Sequence, residues 1–323
     1  MGGFKLRLDI VSPVFNEEEG ISLFIEELSN QLEDAKKKYH ELQPRIILVD
    51  DGSSDGTLKA ISQQATSIEI STIKLSRNFG HQNAVWAGLE SVREFSYCIV
   101  LDSDLQDPPK LILEIIEAFL QNNDVVLMQR ASRQDSAIKK VFASVFYEVQ
   151  HRLSSKNVAR DVGDFFGLSP LALTALLEHK EKVKYIRGLV GDLGFRRVIV
   201  PYERMARSRG VTHYTVPKMF SLAIAGITGF SVKPLLWVVY LALFGGLVGT
   251  LLATYVVYLR TFGSENLAPG WAFATVSATI LSTITLIALA IIAIYLARII
   301  QELKNRPIYL VDKSDHTNSE SRA

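Results

Sequence analysis

The sequence has very little cysteine. Cys98 is the only one among 323 residues, so an internal disulfide is excluded. An excess of charge of one sign is missing too, because 35 basic side chains stand against 34 acidic ones. This balance gives no global attraction to nucleic acid, and we expect no nucleic-acid partner. Any electrostatic function must be local.

Several motifs of nucleotide and hydrolase chemistry are also absent. No G-x-G-x-x-G follows the first strand pattern and no G-x-x-x-x-G-K-[ST] occurs, which argues against a dinucleotide fold and a P-loop. The six histidines lack metal-ligand spacing, and no Ser-His-Asp or Cys-His-Asn constellation is visible. The first residues lack the apolar region of a signal peptide, so we expect the N-terminal part not to be translocated.

Two long stretches carry no charge at all. They lie between Lys233 and Arg260 and between Glu265 and Arg298. Each is longer than the ~20 residues that a helix needs to cross a hydrocarbon core. The pattern predicts two transmembrane helices, at about 234–259 and 270–297, within a membrane region at 233–298.

Basic residues predict the orientation of this pair. Lys233, Arg298, Lys304 and Arg306 flank the outer ends, whereas Arg260 alone lies in the short connection. By the positive-inside rule, the N-terminal domain and the tail at 299–323 are expected to be cytoplasmic. The apolar segment 216–232 suits an interfacial helix, with an ordinary core helix as the alternative. The polar residues after Tyr309 are expected to be disordered.

The first 215 residues alternate short apolar runs with charged helical stretches. Strands are predicted near 8–12, 46–49, 70–75, 97–101 and 125–128, and helices at 17–38, from 57, at 81–92 and at 110–121. This rhythm is typical of an α/β domain with a doubly wound, mostly parallel sheet.

The end of the fourth predicted strand is rich in acids. The stretch "CIVLDSDLQDPP" at 98–109 runs from buried apolar residues directly into Asp102, Ser103 and Asp104. Functional groups of open α/β sheets collect at the carboxyl ends of the strands, and carboxylates suit Mg²⁺ or Mn²⁺ beside substrate phosphates. The alternative is a loop whose acids cap the next helix.

The other strand ends also carry candidate residues, each with a plain structural alternative. Pro13, Asn16, Glu17 and Asp51 could hold a nucleotide or only shape turns, and Arg77 could meet a phosphate or lie in solvent. Arg130 and Arg133 are candidate partners of a pyrophosphate. Asp161 and Asp164 could approach one sugar or cap the helix after Ser169. His81 could begin a helix without a chemical task.

The motifs "SPVFNEEEG", "VDDGSSDGT", "LSRNFGHQNA" and "LDSDLQDPP", in this order at strand ends, resemble the family 2 inverting glycosyltransferases. With the two spans and "RPIY" at 306–309, the chain looks most like the polyprenyl-phosphate branch, which includes bactoprenol glucosyltransferases and dolichol-phosphate mannose synthases. The resemblance implies a GT-A fold, with Asp51 near the base or ribose. It places Asp102, Asp104 and Gln106 at a diphosphate-bound Mg²⁺ or Mn²⁺, with Arg130 and Arg133 near the phosphates.

The chain departs from that family in three places. Phe166 stands where the family usually has Arg, Thr212 and His213 replace Ser and Lys before Tyr214, and Asp192 replaces a common aromatic. These changes put a phosphate contact and a membrane contact in doubt.

The predicted reaction transfers a hexose, expected to be glucose, from a UDP-sugar to a polyprenyl (undecaprenyl) phosphate, with inversion, at the cytoplasmic leaflet of the lipid bilayer. The resemblance to bactoprenol enzymes implies that this bilayer is a bacterial inner membrane. Asp164, Asp161 and Asp104 are the candidate catalytic residues, the first two orienting the acceptor or sugar. A basic cluster is assigned to the acceptor phosphate: Arg204, Arg207, Arg209, His213 and Lys218. Transfer from GDP-mannose and a non-catalytic, membrane-tethered nucleotide-binding scaffold are the alternatives. A homo-oligomer is compatible with the sequence.

Overall fold

The computed structural model describes residues 6–130, 162–182, 184–203, 233–262, 270–304 and 306–312. The chain divides into two units, Met1–Met219 with Arg306–Ala323, and Phe220–Asn305. The described part of the first unit holds a seven-stranded sheet and six helices, and that of the second holds two long helices.

The nine elements predicted between 8 and 128 are all present. They are β1 (Leu6–Val14), α1 (Ile21–Lys38), β2 (Leu42–Asp50), α2 (Thr57–Ser62), β3 (Glu69–Lys74), α3 (His81–Glu90), β4 (Tyr97–Val100), α4 (Ile112–Leu120) and β5 (Val125–Arg130). A short 3₁₀ turn, Pro109–Leu111, leads into α4. The helix expected after Ser169 is also present, as α5 (Pro170–Leu177). Three further elements were not predicted: β6 (Val162–Leu168), α6 (Ile186–Asp192) and β7 (Arg197–Tyr202).

The strands lie in the order β3-β2-β1-β4-β6-β5-β7. Neighbouring strands are parallel except around β6, which runs antiparallel to both β4 and β5. Ile10, Ile46 and Ile99, in the three central parallel strands, are fully buried. Such strands read as unbroken apolar runs because helices cover both faces of the sheet. The prediction of a doubly wound, mostly parallel sheet is therefore confirmed.

Helix α1 shows how the sequence builds one of these covering layers. Its buried apolar residues recur at the spacing of one helical face: Ile21, Phe24, Ile25, Leu28 and Leu32. They belong to one cluster with Ile10 and Ile46 of the sheet. Burial of each such side chain stabilises the fold by about 1.5–3 kcal/mol.

The second unit contains α7 (Lys233–Phe262) and α8 (Trp271–Leu303). Two segments, Leu235–Tyr255 and Val276–Ala297, are long and apolar enough to cross a membrane. Only 6% of each is buried within the protein, and large apolar side chains such as Leu243 and Leu286 are about two-thirds exposed. Soluble proteins rarely leave so much contiguous apolar surface in water, so a bilayer is the natural covering. The predicted interfacial segment 216–232 and the loop around Ser264 lie outside the described residues.

The chain beyond Tyr309 differs from the expectation of disorder. Val311 forms an antiparallel bridge with Leu75, and the backbone of Leu310 and Asp312 bonds to the residues on either side of Leu75. The expectation was wrong for residues 310–312 because it rested on polar composition. The first residues of this otherwise polar tail, Leu310 and Val311, are apolar, and their backbone pairs at the exposed edge of the sheet.

Candidate active site

Strand register brings two acids to the same level at one edge of the sheet. In the antiparallel pair β4 and β6, Val100 lies opposite Phe166. Asp102 lies two residues after Val100, just beyond the end of β4, and Asp164 lies two residues before Phe166 in β6. The end of β4 and the start of β6 therefore meet at the edge where β1 and β2 also end. In open α/β sheets this is where ligands bind.

Asp164 is buried and surrounded by donors. Arg187, in α6, donates Nε to Oδ1 at 2.6 Å and Nη2 to Oδ2 at 2.5 Å. His81, the first residue of α3, places Nε2 3.1 Å from Asp164 Oδ2 and 3.7 Å from Asp102 Oδ1. Gln82 donates weakly to Asp164 at 3.5 Å and accepts a hydrogen bond from the backbone N–H of Ile186, which ties α3 to the start of α6.

These contacts set the protonation states of the cluster. Burial alone would raise the pKa of Asp164, but the hydrogen bond and charge of Arg187, with His81, hold this pKa well below its usual range. For His81, burial lowers the pKa, yet the hydrogen bond to Asp164 and the charge of Asp102 raise it to about 9. Burial, with the nearby acids, raises the pKa of Asp102 to about 6. At neutral pH the cluster therefore contains an ionised Asp164 between two cations.

The acidic segment after β4 is fixed by contacts of its own. Ser103 is buried and donates its hydroxyl to the carbonyl of Pro13 at 3.1 Å, which joins this segment to the end of β1. Asp104 accepts a hydrogen bond from the backbone N–H of Gln106 at 3.1 Å. Oδ1 of Asp102 is buried and has no hydrogen-bond partner within the described ranges. Such an orphaned carboxylate oxygen is uncommon in a folded protein and indicates a ligand.

The turns after β1 and β2 hold each other. The backbone N–H of Asn16 donates to the Ser53 hydroxyl, and Asn16 Oδ1 accepts from the N–H of Ser54, both at 2.9 Å. Glu17 donates its N–H to the hydroxyl of Thr57 at 2.9 Å. Asn16 and Glu17 therefore have a clear role in shaping the turns, whatever else their side chains bind.

Asp51 organises the loop between β3 and α3. Its two oxygens accept the backbone N–H groups of Phe79 at 2.7 Å and Gly80 at 2.9 Å. Burial raises the pKa of this carboxyl, and the two N–H groups partly offset the effect. Arg77, in the same loop, stacks its guanidinium over the ring of Phe79 at 4.1 Å. The loop thus lies beside the Asp51 turn, with one cation near the sheet edge.

The chain is similar in sequence to one protein family and to several bacterial and phage proteins. Residues 9–176 match the family described as Glycosyl transferase family 2. The uncharacterized glycosyltransferase YkcC of Bacillus subtilis (strain 168) is 34% identical over 96% of this chain and 94% of its own length. A SfII prophage-derived bactoprenol glucosyl transferase of Shigella flexneri is 31% identical over 97% of this chain and 100% of its own. The bactoprenol glucosyl transferase of Shigella phage SfX is 30% identical over 95% and 99%.

The chain belongs to glycosyltransferase family 2. It is thus a glycosyltransferase with a GT-A-like sheet, as the sequence motifs indicated. The family match covers β1 to α5, which includes Asp51, Asp102 and Asp164, while the matches to whole relatives extend through both apolar helices.

Not all predicted site residues of this glycosyltransferase lie in the Asp102 and Asp164 cluster. Arg130, expected near phosphates, points its guanidinium toward Tyr202 Oη at 3.4 Å and Asp107 at 3.9 Å, and lies over Gly163. Tyr202 in turn donates to Asp107, so these three residues form a largely buried network. Several other predicted residues lie outside the described ranges: Arg133, Asp161, Arg204, Arg207, Arg209, His213 and Lys218.

The donor set fits a divalent cation. One ligand atom each of His81, Asp102 and Asp164 lie within 4.8 Å of one another. Arg187 already neutralises Asp164, however, and a protonated His81 repels a cation. The orphaned Oδ1 of Asp102 is the better ligand, and Asp104 is the next acid along the chain. The residues present therefore suit a metal on the Asp102 side of this candidate site.

Three residues of the cluster were not predicted. Arg187 was not among the candidate residues, and Gln82 entered only as part of the family motif "LSRNFGHQNA". His81 lies in the same motif, and it could have begun a helix without a chemical task. The antiparallel placement of β6 is what brings Asp164 to them, and that pairing has no local sequence signature. The sequence contained one usable signal for His81, which is that Gly80 and His81 come directly after the end of a predicted strand. The first residues of helices at such positions in α/β sheets face the ligand.

Proposed function

We propose that this glycosyltransferase transfers a hexose from a UDP-sugar to the phosphate of a polyprenyl phosphate of the undecaprenyl type, with inversion. The observation that carries the proposal is the meeting of Asp102 with the Asp164, Arg187 and His81 cluster at the ligand-binding edge of the sheet. This arrangement combines carboxylates for a cation with cations for phosphate oxygens.

The relatives support the proposed substrate class. Three bactoprenol glucosyl transferases of Shigella and its phages align with nearly the whole chain, including the two apolar helices. A lipid acceptor requires an enzyme at the membrane, and those two helices would provide the anchor. Glucose is the proposed hexose on the same grounds.

On the donor side, Asp102 and Asp104 would hold Mg²⁺ or Mn²⁺, with Gln106 beside them. Bound there, the ion would neutralise the diphosphate of the leaving nucleotide. Asp51 and the turn of Asn16 would lie at the nucleoside. Pro13, Glu17, Ser103 and Arg77 shape the same edge and belong to the proposed donor site, as does Arg133.

On the acceptor side, the nucleophile is a phosphate oxygen. A phosphate monoester has a second pKa near ~6, so it is largely dianionic at neutral pH and needs little help from a base. Asp164 is ionised and bonded to Arg187 through both oxygens. We therefore assign Asp164 to orienting Arg187 and His81, whose N–H groups would face phosphate oxygens, with Asp161 in reserve. Inversion would follow from a single in-line displacement.

The proposed topology follows from the sequence. Residues 1–215 would form the cytoplasmic catalytic domain, 216–232 an interfacial helix, 233–298 the membrane hairpin and 299–323 a cytoplasmic tail. The basic cluster of 204–218 would then meet the lipid phosphate at the membrane surface, because anionic head groups attract juxtamembrane cations.

Radiolabelled donors test the proposal. The purified protein is incubated with UDP-glucose, UDP-galactose or GDP-mannose, each with undecaprenyl phosphate and, as a control, with undecaprenol. We expect label in the organic phase only with UDP-glucose and the lipid phosphate, and a β-linked product from an α-linked donor. Transfer from GDP-mannose would identify the mannosyl alternative. Nucleotide binding without transfer to any lipid would identify the scaffold.

A further inference from the structure

The chain after the second long helix returns to the edge of the sheet. Strand β3 is the outermost strand on one side. There Val311 bridges Leu75, the N–H of Ser76 donates to the carbonyl of Leu310 at 2.8 Å, and the N–H of Asp312 donates to that of Lys74 at 2.8 Å. Lys74 and Asp312 also form an ion pair at 3.0 Å. We call residues 306–312 the C-terminal strap.

The strap has a second anchor on helix α3. The hydroxyl of Tyr309 donates to Glu90 Oε2 in the last turn of that helix. The other oxygen of Glu90 accepts the indole N–H of Trp86 at 2.8 Å, and Trp86 is buried in the core. Tyr309 is thus bonded to a carboxylate that the core already holds in place.

The two anchors enclose the part of the chain that shapes the candidate donor site. Between Ser76 and Glu90 lie the loop 77–80, whose amides bond to Asp51, and His81, which contacts Asp164. Gly52, next to Asp51, has φ +73°, and a Cβ there would lie 2.4 Å from the carbonyl carbon of Arg77. The loop therefore packs directly on the Asp51 turn, and a small movement of the loop would reshape the site.

We propose that the C-terminal strap is a positioning element for the donor site, holding the loop 77–80 and helix α3 against the Asp51 turn. This inference rests on the proposed function, in which Asp51 lies at the nucleoside of the UDP-sugar. The alternative is simple protection of an exposed sheet edge, which would affect stability but not one substrate in particular.

The test compares two C-terminal truncations of the membrane-inserted enzyme, both of which keep the rest of the chain. One ends after Asn305 and lacks the strap, and the matched control ends after Lys313 and retains it. We expect the KM for the UDP-sugar, and the Kd for UDP, to rise about tenfold in the first, with the KM for the lipid phosphate unchanged. The control truncation should behave as the wild type. A synthetic peptide of residues 304–313, added in trans, should lower the donor KM again.

A point variant removes the concern that the short truncation fails to fold. Tyr309→Phe removes only the bond to Glu90, and we expect a several-fold rise in donor KM with an unchanged melting temperature. Equal donor affinity in the strapless enzyme, or equal losses for both substrates with a lower melting temperature, would overturn the inference. A wild type that binds no nucleotide at all would instead contradict the proposed function, so the two failures are distinguishable.

Discussion

Arg187 donates a hydrogen bond to each carboxylate oxygen of Asp164, at 2.6 and 2.5 Å. Asp164 is buried, so its negative charge depends on this guanidinium. The pair joins β6 to α6, two elements that were not predicted from the sequence. His81 contacts both Asp164 and Asp102, and so links the pair to Asp102. Any account of the chemistry must therefore treat Asp164 and Arg187 as one unit.

The first prediction separates the two members of this unit. Arg187→Ala should destabilise the protein by about 3 kcal/mol, because it leaves a buried carboxylate without its main partner. Transfer should fall at least a hundredfold. Arg187→Lys keeps the charge but loses the bidentate contact. Relative to Arg187→Ala, it should restore more of the stability than of the activity. Thermal unfolding in detergent and the radiolabel assay measure the two effects.

A double variant provides the control for this reading. If the cost of Arg187→Ala comes from the stranded charge, then Asp164→Asn in the same protein should restore part of the lost stability. Strictly additive losses would show that the two side chains act independently.

The second prediction concerns the metal. Asp104→Asn should abolish transfer, and EDTA should do the same reversibly to the wild type, because a neutral amide is a poor ligand for Mg²⁺. Mn²⁺ binding, followed by electron paramagnetic resonance, gives a readout apart from activity. Asp34→Asn, the same change on the exposed surface of α1, is the matched control. Full activity of the wild type in metal-free buffer would remove the metal from the mechanism.

The third prediction addresses the buried network behind the site. Tyr202 donates to Asp107, which is fully buried, and Arg130 lies beside both. Tyr202→Phe should cost about 1–3 kcal/mol of stability, because it removes a donor from a buried carboxylate. Tyr97→Phe is the control, since the described residues provide no hydrogen bond to that hydroxyl. Equal melting temperatures for the two variants would show that the network contributes little.

The fourth prediction concerns the membrane. With the proposed orientation, a cysteine at Ser264 should react with an impermeant maleimide in intact cells. The background is low because Cys98, the only native thiol, is fully buried. A cysteine near the C-terminus should react only after the cells are opened. The reverse pattern of labelling would invert the topology.

Whether a feature of the fold or the site could be predicted from the sequence depends on whether local or long-range contacts form it. The elements from β1 to β5 follow from local periodicity, and Asp102 and Asp104 from their position after a buried run. The partners of Asp164 depend on the antiparallel pairing of β6 with β4, which couples residues more than 60 positions apart. The prediction of disorder after Tyr309 failed for the same reason, because Val311 is ordered by a bridge to Leu75, which is far away in the chain. Local composition carries no information about either pairing.

The last prediction places the acceptor. A polyprenyl phosphate presents an anionic head at the membrane surface. The cluster Arg204, Arg207, Arg209, His213 and Lys218 leads into the start of the proposed interfacial segment 216–232. Arg207→Ala should weaken the apparent affinity for the lipid phosphate tenfold to a hundredfold, since a charge-assisted hydrogen bond is worth about 1.5–3 kcal/mol. The affinity for the UDP-sugar should stay the same.

Steady-state kinetics with each substrate varied in turn provides this measurement. Arg7→Ala is the matched control, because Arg7 lies at the start of β1, at the opposite edge of the sheet, where it contacts the carbonyl of Glu94. Arg187→Lys, a change within the candidate site, provides a second comparison in the same kinetic measurements. If Arg207→Ala impaired the donor and left the lipid dependence intact, the basic cluster would serve the nucleotide. The acceptor phosphate would then be bound by the cations proposed for it at the sheet edge, His81 and Arg187, without the basic cluster.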